Sequence, residues 1–440
     1  MVPMSGFNFA ITSSPIFSSK EAAIAYQNSL TGDCSRLFSD IIAAMSYVLD
    51  LQEDPRLYHA WRVAAVATAM AEQMVPGQAS DIFFAALLHD VGCMGAFPHI
   101  VRFPTLYSQL SRPEIVTHPE RGGEIVRGIP GLEKSADFVV DHHEWFSGAG
   151  YPKRKKEEEI ALGAQLIRIA DSADVSRRFK PEASLAETLE IARIVGGMEV
   201  SLEVADAFKM VLSNEDFYRD LVDEDRLFRL IQRFELDVGT PVFQPNSDLL
   251  GTVLTVFARV IDSKHGFMSG HSERVSKYSV DLATALGIPH NEVTKLRFAG
   301  LIHDVGKVAV PSSIIDKPGP LGQSEILQVR HHPVLTMDII RNIAHLSELA
   351  WIAGHHHERW DGTGYPDGLA GEEIPLLSRI MAVADAFDAI TSPRSYKETK
   401  TPREALRILY EASGTQFDPQ VVDAAHAVWG SWESQALRAA

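Results

Sequence analysis

Cysteine is nearly missing from this 440-residue chain, which contains only Cys34 and Cys93. Two cysteines exclude a disulfide framework and a zinc site made of four thiolates. Long apolar runs are missing too, because no stretch approaches the roughly 18 residues that cross a bilayer. Residues 1–20 also lack the charged start and apolar core of a signal peptide. We therefore expect a cytoplasmic protein without a membrane partner.

Basic charge is scarce as well. Lysine and arginine number 41 against 58 aspartates and glutamates, which gives a net charge of −17. DNA-binding proteins need a broad basic surface to neutralise phosphates, so this balance argues against DNA as a partner. A small anionic ligand held by metal ions in a pocket remains compatible with it. The apolar content of 45% is that of an ordinary globular protein.

Strand-like alternation of period two is weak along the chain, whereas helical spacing is common. In the first helical segment, apolar residues recur at steps of three and four, at Leu37, Ile41, Ile42, Met45 and Val48. This spacing places apolar side chains on one face of a helix. The sequence therefore predicts an all-α fold.

The second half of the chain repeats the first. His89 and Asp90 recur as His303 and Asp304, which sets a constant offset in residue number between the two halves. Four further residues recur at the same offset, namely His118, His142, His143 and Asp171. His59 recurs as His271 at a slightly shorter offset, which a small change in loop length explains. Such ordered repetition indicates a tandem duplication of one helical unit.

The duplication divides the chain into four segments. Residues 1–20 are predicted to be a loose arm rich in serine and proline, and residues 21–213 the first unit. An acidic helix and a proline-containing loop make residues 214–246 a linker. Residues 247–440 form the second unit.

Histidine and aspartate dominate the repeated positions, and both supply ligands for divalent metals. In the second unit these residues are His271, His303, Asp304, His332, His356, His357 and Asp385. They exceed the needs of one tetrahedral zinc but suit two metals about 3.5–4 Å apart, bridged by a carboxylate. Asp304 is the expected bridge, since it adjoins a ligand histidine at a helix end. Ligands without thiolate favour iron or manganese, with nickel, magnesium and zinc left open.

The first unit keeps the same ligand types and is a candidate for a second metal site. Its ligands would be His59, His89, Asp90, His118, His142, His143 and Asp171. Two other histidines of the second unit, His331 and His355, adjoin ligands but are replaced in the first unit by Thr117 and Asp141. Neither is therefore a first choice as a ligand.

Seven strings of the second unit carry a family resemblance: Gly270–Val275, His303–Lys307, Lys317–Gly319, His332–Pro333, His356–Leu369, Asp385–Ser392 and Gly414–Pro419. On these strings the unit resembles the HD-GYP family of cyclic-dinucleotide phosphodiesterases, a branch of the HD metallohydrolases. The resemblance implies metal-dependent hydrolysis of the 3′–5′ phosphodiester of a 3′3′-cyclic dinucleotide, in bacterial second-messenger signalling. The substrate would be cyclic di-GMP or 3′3′-cGAMP, and the product a linear dinucleotide or mononucleotides.

The resemblance also implies roles for single residues. Asp304 and Lys307 would be catalytic. The substrate would be bound by Lys317, Arg359, Gly364, Tyr365, Pro366, Arg394 and Lys397. Some members of the family bind a third metal through a glutamate four residues before the first histidine. Phe267 stands at that position and cannot ligate, so we expect a two-metal site.

The first unit resembles the family less closely. Cys93 stands in place of Lys307, and Phe103 in place of Lys317. We expect this unit to bind metal without the substrate contacts and to have a regulatory or packing role. An alternative for the whole chain is a non-catalytic sensor or interaction protein for cyclic dinucleotides. A homodimer and signalling-protein partners are left open.

Overall fold

The computed structural model describes residues 34–50, 58–95, 103, 105–180, 183–239, 248–264, 268–341, 343, 346–392 and 399–430. Their regular secondary structure is helical, and the described ranges contain no strand beyond three isolated bridges. The predicted all-α class is therefore confirmed. The predicted arm, residues 1–20, lies outside the described residues, as does the predicted start of the second unit at residue 247.

The chain forms two compact units, which divide between Val256 and Phe257. The helices of unit one are α1 (Cys34–Asp50), α2 (His59–Met74), α3 (Ala79–Leu88), α4 (Leu106–Leu110), α5 (Pro113–Val116), α6 (His118–Arg127), α7 (Glu133–Asp141), α8 (Leu162–Phe179), α9 (Leu185–Val195), α10 (Leu202–Leu212), α11 (Glu215–Val222) and α12 (Glu224–Asp237). The division falls within the next helix, α13 (Leu249–Ser263).

Unit two repeats this order of helices. They are α14 (His271–Ala285), α15 (His290–Ile302), α16 (Ser312–Ile315), α17 (Gln323–Arg330), α18 (His332–Arg341), α19 (Ser347–Gly354), α20 (Leu376–Thr391), α21 (Pro402–Glu411) and α22 (Pro419–Trp429). Short 3-10 turns at Val91–Cys93 and Val305–Ala309 follow the two His-Asp pairs.

The cores of the two units use the same helix pairs. In unit one α2 packs against α3 and α8, and in unit two α14 packs against α15 and α20. Fully buried apolar residues such as Val63, Ile167, Leu282 and Ile380 line these contacts. Burying each such side chain stabilises the fold by roughly 1.5–3 kcal/mol. Because each unit has a core of this kind, equivalent histidines lie at equivalent helix ends in the two units.

A glycine in each 3-10 turn permits the close approach that forms the centre of each unit. A Cβ on Gly306 would lie 2.1 Å from the carbonyl oxygen of His332, and one on Gly92 would lie 2.1 Å from that of His118. The Gly306 amide also donates to Thr336 Oγ1 at 3.0 Å. Only glycine lets the turn lie this close to α18, which brings the His-Asp pair to the first histidine of that helix.

The acidic segment after unit one differs from the predicted single helix. It consists of α11 and α12, separated at Asp223, whose carboxylate accepts a hydrogen bond from the Arg226 amide at 3.0 Å. An aspartate in this position caps the start of a new helix. Buried side chains of α12, among them Leu230 and Phe234, face unit one, where α12 packs against α2. This segment is therefore part of the compact unit one.

None of the helices in the described ranges combines the length and the apolar content that a bilayer-spanning segment requires.

Candidate metal centres

The predicted ligands of unit two converge from helix ends. His271 begins α14, His332 begins α18, and His303 directly follows the last residue of α15. His356 lies two residues beyond α19. These four histidines are buried, so they meet inside the unit and not on its surface.

Asp304 lies at the middle of this cluster and uses its two oxygens differently. Oδ2 lies 3.4 Å from the Nε2 atoms of both His271 and His303. Oδ1 lies 3.3 Å from Nε2 of His332 and 3.9 Å from Nε2 of His356. One carboxylate thus faces two groups of imidazoles, which is the arrangement expected of a carboxylate that bridges two metals.

The two groups define two subsites, which we call subsite A and subsite B. Subsite A of unit two contains His271, His303 and Asp304, and Asp385 joins it with Oδ1 3.4 Å from His271 Nε2. Subsite B contains His332, His356 and His357, whose ligand atoms lie within 4.8 Å of one another. All seven predicted ligands of unit two are therefore brought together.

Backbone carbonyls fix the tautomers of three of these histidines. The Nδ1 atom of His303 lies 2.8 Å from the carbonyl oxygen of Gly300. The Nδ1 atom of His332 lies 2.6 Å from the carbonyl oxygen of Val329, and that of His356 lies 2.5 Å from the carbonyl oxygen of Ala353. A carbonyl oxygen only accepts, so each Nδ1 carries the proton and each Nε2 turns a lone pair toward the centre. Metal-ligating histidines are typically held in this way.

His271 is held instead by a carboxylate. Its Nδ1 lies 2.8 Å from Asp388 Oδ2, and Arg274 donates from Nε to Asp388 Oδ1 at 2.5 Å. Burial alone would raise the pKa of Asp388, but the hydrogen bonds from His271 and Arg274 lower it to about 2. Burial lowers the pKa of His271, but the neighbouring carboxylates of Asp304, Asp388 and Asp385 raise it overall to about 9. The position at His271 Nε2 therefore favours a cation.

The donor set fits divalent metals. The Nε2 atoms of His271, His303, His332 and His356 and Oδ1 of Asp304 are buried without a hydrogen-bond partner. Such atoms are costly to bury unless something else satisfies them. Burial also lowers the pKa values of His332 and His356, which favours the neutral form that a metal requires.

Lys307 is the cation nearest to this centre among the predicted residues. It lies on the 3-10 turn after Asp304, and its Nζ is 2.5 Å from Asp304 Oδ2. Burial alone would raise the pKa of Asp304, but Lys307 and His303 hold it well below the usual value. The Lys307 side chain is 18% exposed, whereas that of Asp304 is 1% exposed.

The loop of the Gly-Tyr-Pro motif covers His357. The ring of Tyr365 stacks on that of His357 with centroids 4.9 Å apart, and the Arg330 guanidinium lies 5.2 Å from the Tyr365 ring centroid. The buried carboxylate of Glu358 accepts hydrogen bonds from the amides of Asp367 and Gly368, which close the loop. Gly364 and Pro366 belong to the same loop.

Other predicted substrate residues lie farther out. Lys317 pairs with Glu325 at 2.7 Å, and Arg359 pairs with Asp361 at 2.9 Å. Both are partly exposed. Arg394 and Lys397 lie outside the described residues, as does Phe267.

His355 does not point toward the metal centre. Its Nδ1 lies 2.8 Å from the Trp351 carbonyl oxygen, and its Nε2 lies 2.9 Å from Asp367 Oδ2. Both ring nitrogens are therefore engaged elsewhere.

Sequence reasoning missed two supporting groups in unit two. Asp388 orients His271, and Arg330 lies over Tyr365. The sequence repeat could have identified Asp388, because it matches Asp174 of unit one at the constant offset between the halves. The repeat could not have identified Arg330, because its counterpart in unit one is Val116.

Unit one builds the same frame around Asp90. Oδ2 lies 3.5 Å from His89 Nε2, whereas Oδ1 lies 3.4 Å from His118 Nε2 and 3.7 Å from His142 Nε2. The carboxylate therefore faces two groups of imidazoles here too. Subsite A of unit one contains His59, His89 and Asp171, and subsite B contains Asp90, His118, His142 and His143.

Apolar side chains surround the position in unit one that corresponds to Lys307. Cys93, which replaces Lys307, is buried together with Ile115 and Tyr151. Phe103 and Val116 pack against this group. Burial, together with the neighbouring Asp90, raises the pKa of the Cys93 thiol well above its usual value, so the thiol stays neutral.

A buried arginine enters the unit one centre. Arg168 lies on α8, and its Nη1 is 3.1 Å from His143 Nδ1 and 3.0 Å from Asp171 Oδ2. Its Nε donates to Glu199 Oε2 at 2.8 Å. Two of the predicted ligands of unit one therefore contact a guanidinium group.

Comparison with known proteins agrees with this architecture. The family description "HD domain" matches residues 36–191 and 255–421. The chain is 28% identical over 430 residues to 3′3′-cGAMP-specific phosphodiesterase 3 of Vibrio cholerae, covering 87% of this chain and 92% of that protein. It is 43% identical over 173 residues to the cyclic di-GMP phosphodiesterase response regulator RpfG of Xanthomonas campestris, covering 39% of this chain and 46% of that protein.

A solved structure is similar over nearly the whole chain. The cyclic GMP-AMP specific phosphodiesterase V-cGAP3 of V. cholerae matches with a TM-score of 0.63 and 25% sequence identity, covering 89% of this chain and 97% of that one. The resemblance to the HD-GYP branch, inferred from the motifs of unit two, is confirmed by these relatives. The chain belongs to the HD domain family, whose pattern it contains twice.

Proposed function

We propose that unit two is a metal-dependent phosphodiesterase that hydrolyses the 3′–5′ phosphodiester of a 3′3′-cyclic dinucleotide. The substrate would be cyclic di-GMP or 3′3′-cGAMP, the two compounds named for the relatives. The product would be a linear dinucleotide or mononucleotides, and the role would be bacterial second-messenger signalling. The catalytic domain would span residues 247–440.

The observation that carries this proposal is the position of Asp304. Its two oxygens face two groups of imidazoles, and the Lys307 ammonium lies beside it. A receptor that only binds a nucleotide has no need for two adjoining metal subsites. A hydrolase does, because a phosphodiester resists attack until its charge is stabilised and its attacking water is acidified.

The metal pair would be held by the seven ligands of unit two. Subsite A would use His271, His303, Asp304 and Asp385, and subsite B would use Asp304, His332, His356 and His357. Two divalent ions bound there, iron or manganese by preference, would supply Lewis-acid stabilisation of the phosphate and a more acidic water. Nickel, magnesium and zinc remain alternatives.

The side chains around this centre would hold the substrate. Lys307 would bind a phosphate oxygen through a charge-assisted hydrogen bond. Tyr365, whose ring already contacts His357 and the Arg330 guanidinium, would contact the substrate through its ring edge or hydroxyl group. The remaining predicted contacts would come from Lys317, Arg359, Gly364, Pro366, Arg394 and Lys397.

Unit one would be a regulatory domain without hydrolytic activity. Cys93 takes the place of the Lys307 ammonium, and Val116 takes the place of Arg330. Cys93 is buried with Tyr151, and Val116 packs against this apolar group. A dianionic substrate would therefore lack the counterparts of the Lys307 ammonium and the Arg330 guanidinium there.

Product analysis of two matched variants tests the proposal. The full chain, supplied with manganese or ferrous iron, would be incubated with each cyclic dinucleotide. Asp304→Asn should lower turnover by at least about 10²–10³-fold, because charge stabilisation at the phosphate is lost. Asp90→Asn, its counterpart in unit one, should retain hydrolysis.

Two results would contradict the proposal. One is near-normal turnover by folded, metal-containing Asp304→Asn protein. The other is wild-type protein that binds a cyclic dinucleotide and contains metal but releases no product, which would favour a sensor. Substantial turnover by Asp304→Asn that is abolished by adding Asp90→Asn would instead identify unit one as a second active site.

A further inference from the structure

The buried group formed by Arg168, Glu199, Asp171 and His143 has no part in the proposed hydrolysis. The Arg168 guanidinium contacts His143 Nδ1 at 3.1 Å and Asp171 Oδ2 at 3.0 Å, and it is held by Glu199 Oε2. The side chains of Arg168 and Glu199 are only 11% and 12% exposed. The guanidinium is therefore fixed inside the unit one centre.

The contact with Arg168 determines which lone pair His143 can offer. A guanidinium group only donates, so Nδ1 of His143 accepts the hydrogen bond. The neutral ring then carries its proton on Nε2, and neither nitrogen has a lone pair left for a metal. His118 and His142 behave differently, because their Nδ1 atoms donate to carbonyl oxygens at 2.6 Å, so each neutral ring carries its lone pair on Nε2.

Unit two lacks the arginine at the equivalent position. Arg168 is the seventh residue of α8, and Ala382 is the seventh residue of α20. Both stand three residues before the predicted aspartate ligand, Asp171 or Asp385. A methyl group has no donor to offer, so His357 is not constrained in this way by position 382.

Glu199 also has an identifiable counterpart. The Phe146 amide donates to the Glu199 carbonyl oxygen at 3.0 Å, and the Trp360 amide donates to the Gln416 carbonyl oxygen at 3.1 Å. Phe146 and Trp360 are themselves counterparts at the constant offset between the units. The backbone therefore pairs Glu199 with Gln416, and an Arg–Glu pair in unit one corresponds to an Ala–Gln pair in unit two.

We propose that the Arg168 guanidinium replaces the second metal ion of unit one, so that unit one binds one divalent ion in subsite A. Subsite A keeps its donors, because Asp171 Oδ1 still lies 3.5 Å from His59 Nε2 while Oδ2 accepts from Arg168. Subsite B loses His143, and the fixed positive charge beside it opposes a second cation. The expectation of a pair in unit two rests on the proposed function.

The test exchanges the two residue pairs in the full chain. Each protein would be reconstituted with manganese, desalted, and its metal counted by mass spectrometry. The wild-type chain should hold three ions. The variant Arg168→Ala/Glu199→Gln, which copies unit two, should hold four. The reciprocal variant Ala382→Arg/Gln416→Glu should hold two, because subsite B of unit two loses its ion.

Electron paramagnetic resonance provides a second measurement that does not depend on activity. In an Asp304→Asn background, the otherwise unchanged chain should give the signal of isolated Mn²⁺. Adding Arg168→Ala/Glu199→Gln should produce the signal of an exchange-coupled pair from unit one. If that variant does not fold, the reciprocal variant, made in a chain that keeps Asp304, tests the same point through loss of the coupled signal of unit two.

Several outcomes would overturn the inference. A wild-type count of four, or a count that the exchange leaves unchanged, would show that Arg168 does not exclude an ion. A wild-type count of two or fewer would show that subsite A of unit one is not a site. None of these counts involves hydrolysis, so absence of turnover would contradict the proposed function alone.

Discussion

Asp388 controls the orientation of a metal ligand although it contacts no substrate. It accepts a hydrogen bond from His271 Nδ1 at 2.8 Å and is held by Arg274. Replacing Asp388 with asparagine should weaken the binding of metal to unit two by roughly 10–100-fold, because supporting carboxylates raise ligand basicity and fix the ring. Metal titration by calorimetry measures this change.

Asp174 provides the matched control, since it holds His59 in unit one at the same distance of 2.8 Å. Asp174→Asn should weaken metal binding by unit one and leave the hydrolysis rate of unit two intact. Equal loss of hydrolysis in both variants would mean that the two centres do not act separately.

Lys307 distinguishes the two centres at the substrate side. Its ammonium lies beside Asp304, and its side chain is 18% exposed. Lys307→Ala should lower kcat/KM by roughly 10- to 150-fold, the equivalent of about 1.5–3 kcal/mol for one charge-assisted hydrogen bond. Steady-state kinetics with a parallel metal count would measure it.

Cys93→Ala is the corresponding change in unit one and should leave kcat/KM as it was. Unchanged kinetics for Lys307→Ala would exclude this lysine as a phosphate contact. A loss of metal that parallels the loss of rate would indicate that Lys307 acts on the ligands and not on the substrate.

The repeat in the sequence predicted the ligands but not their surroundings. The constant offset between the units identified His303, Asp304 and their relatives, because ligands at helix ends keep their spacing. The same offset pairs Glu199 with Ser413, whereas the backbone pairs it with Gln416. A change in loop length beyond Thr391 therefore concealed the Arg168–Glu199 pair.

At the scale of elements, the 3-10 turn after Asp304 depends on Gly306. A Cβ there would lie 2.1 Å from the His332 carbonyl oxygen, and neither backbone segment can give way easily. Gly306→Ala should destabilise unit two by about 1–3 kcal/mol, the usual cost of overpacking. Differential scanning calorimetry would show the loss as a lower melting temperature.

Gly322 offers a control in the same unit. A Cβ on it would lie 3.4 Å from Glu325 Oε2, the far end of a flexible side chain. Its φ of −71° suits any residue. Gly322→Ala should therefore leave the melting temperature nearly unchanged, and an equal shift for both variants would contradict the steric argument.

Helices were predicted well from apolar spacing, but one helix boundary was not. The acidic stretch reads as a continuous amphipathic helix, and only the capping contact of Asp223 with the Arg226 amide divides it. Such a cap competes with helix continuation by a small free energy, about 1 kcal/mol. The spacing of apolar residues alone therefore cannot determine whether the segment forms one continuous helix or two helices.

At the scale of the whole molecule, duplication has produced two units with one frame and different interiors. Composition predicted the absence of a bilayer-spanning segment, and the repeat predicted two helical units. Most histidines and carboxylates at both centres are buried, so each unit carries polar groups that need a partner. Metal binding should therefore stabilise both units, in proportion to the ions that each one holds.

Removal of metal tests this linkage on the full chain. A ligand present at 100 times its Kd stabilises a protein by about 2.7 kcal/mol per site, which corresponds to roughly 5–10 °C for a unit of this size. Chelation should therefore lower the melting transitions, and manganese should restore them. Asp304→Asn should remove more of the manganese-dependent shift than Asp90→Asn, because Asp304 faces two occupied subsites, whereas Asp90 faces one, through Oδ2 beside His89. Equal shifts in the two variants would mean that the centres hold equal numbers of ions.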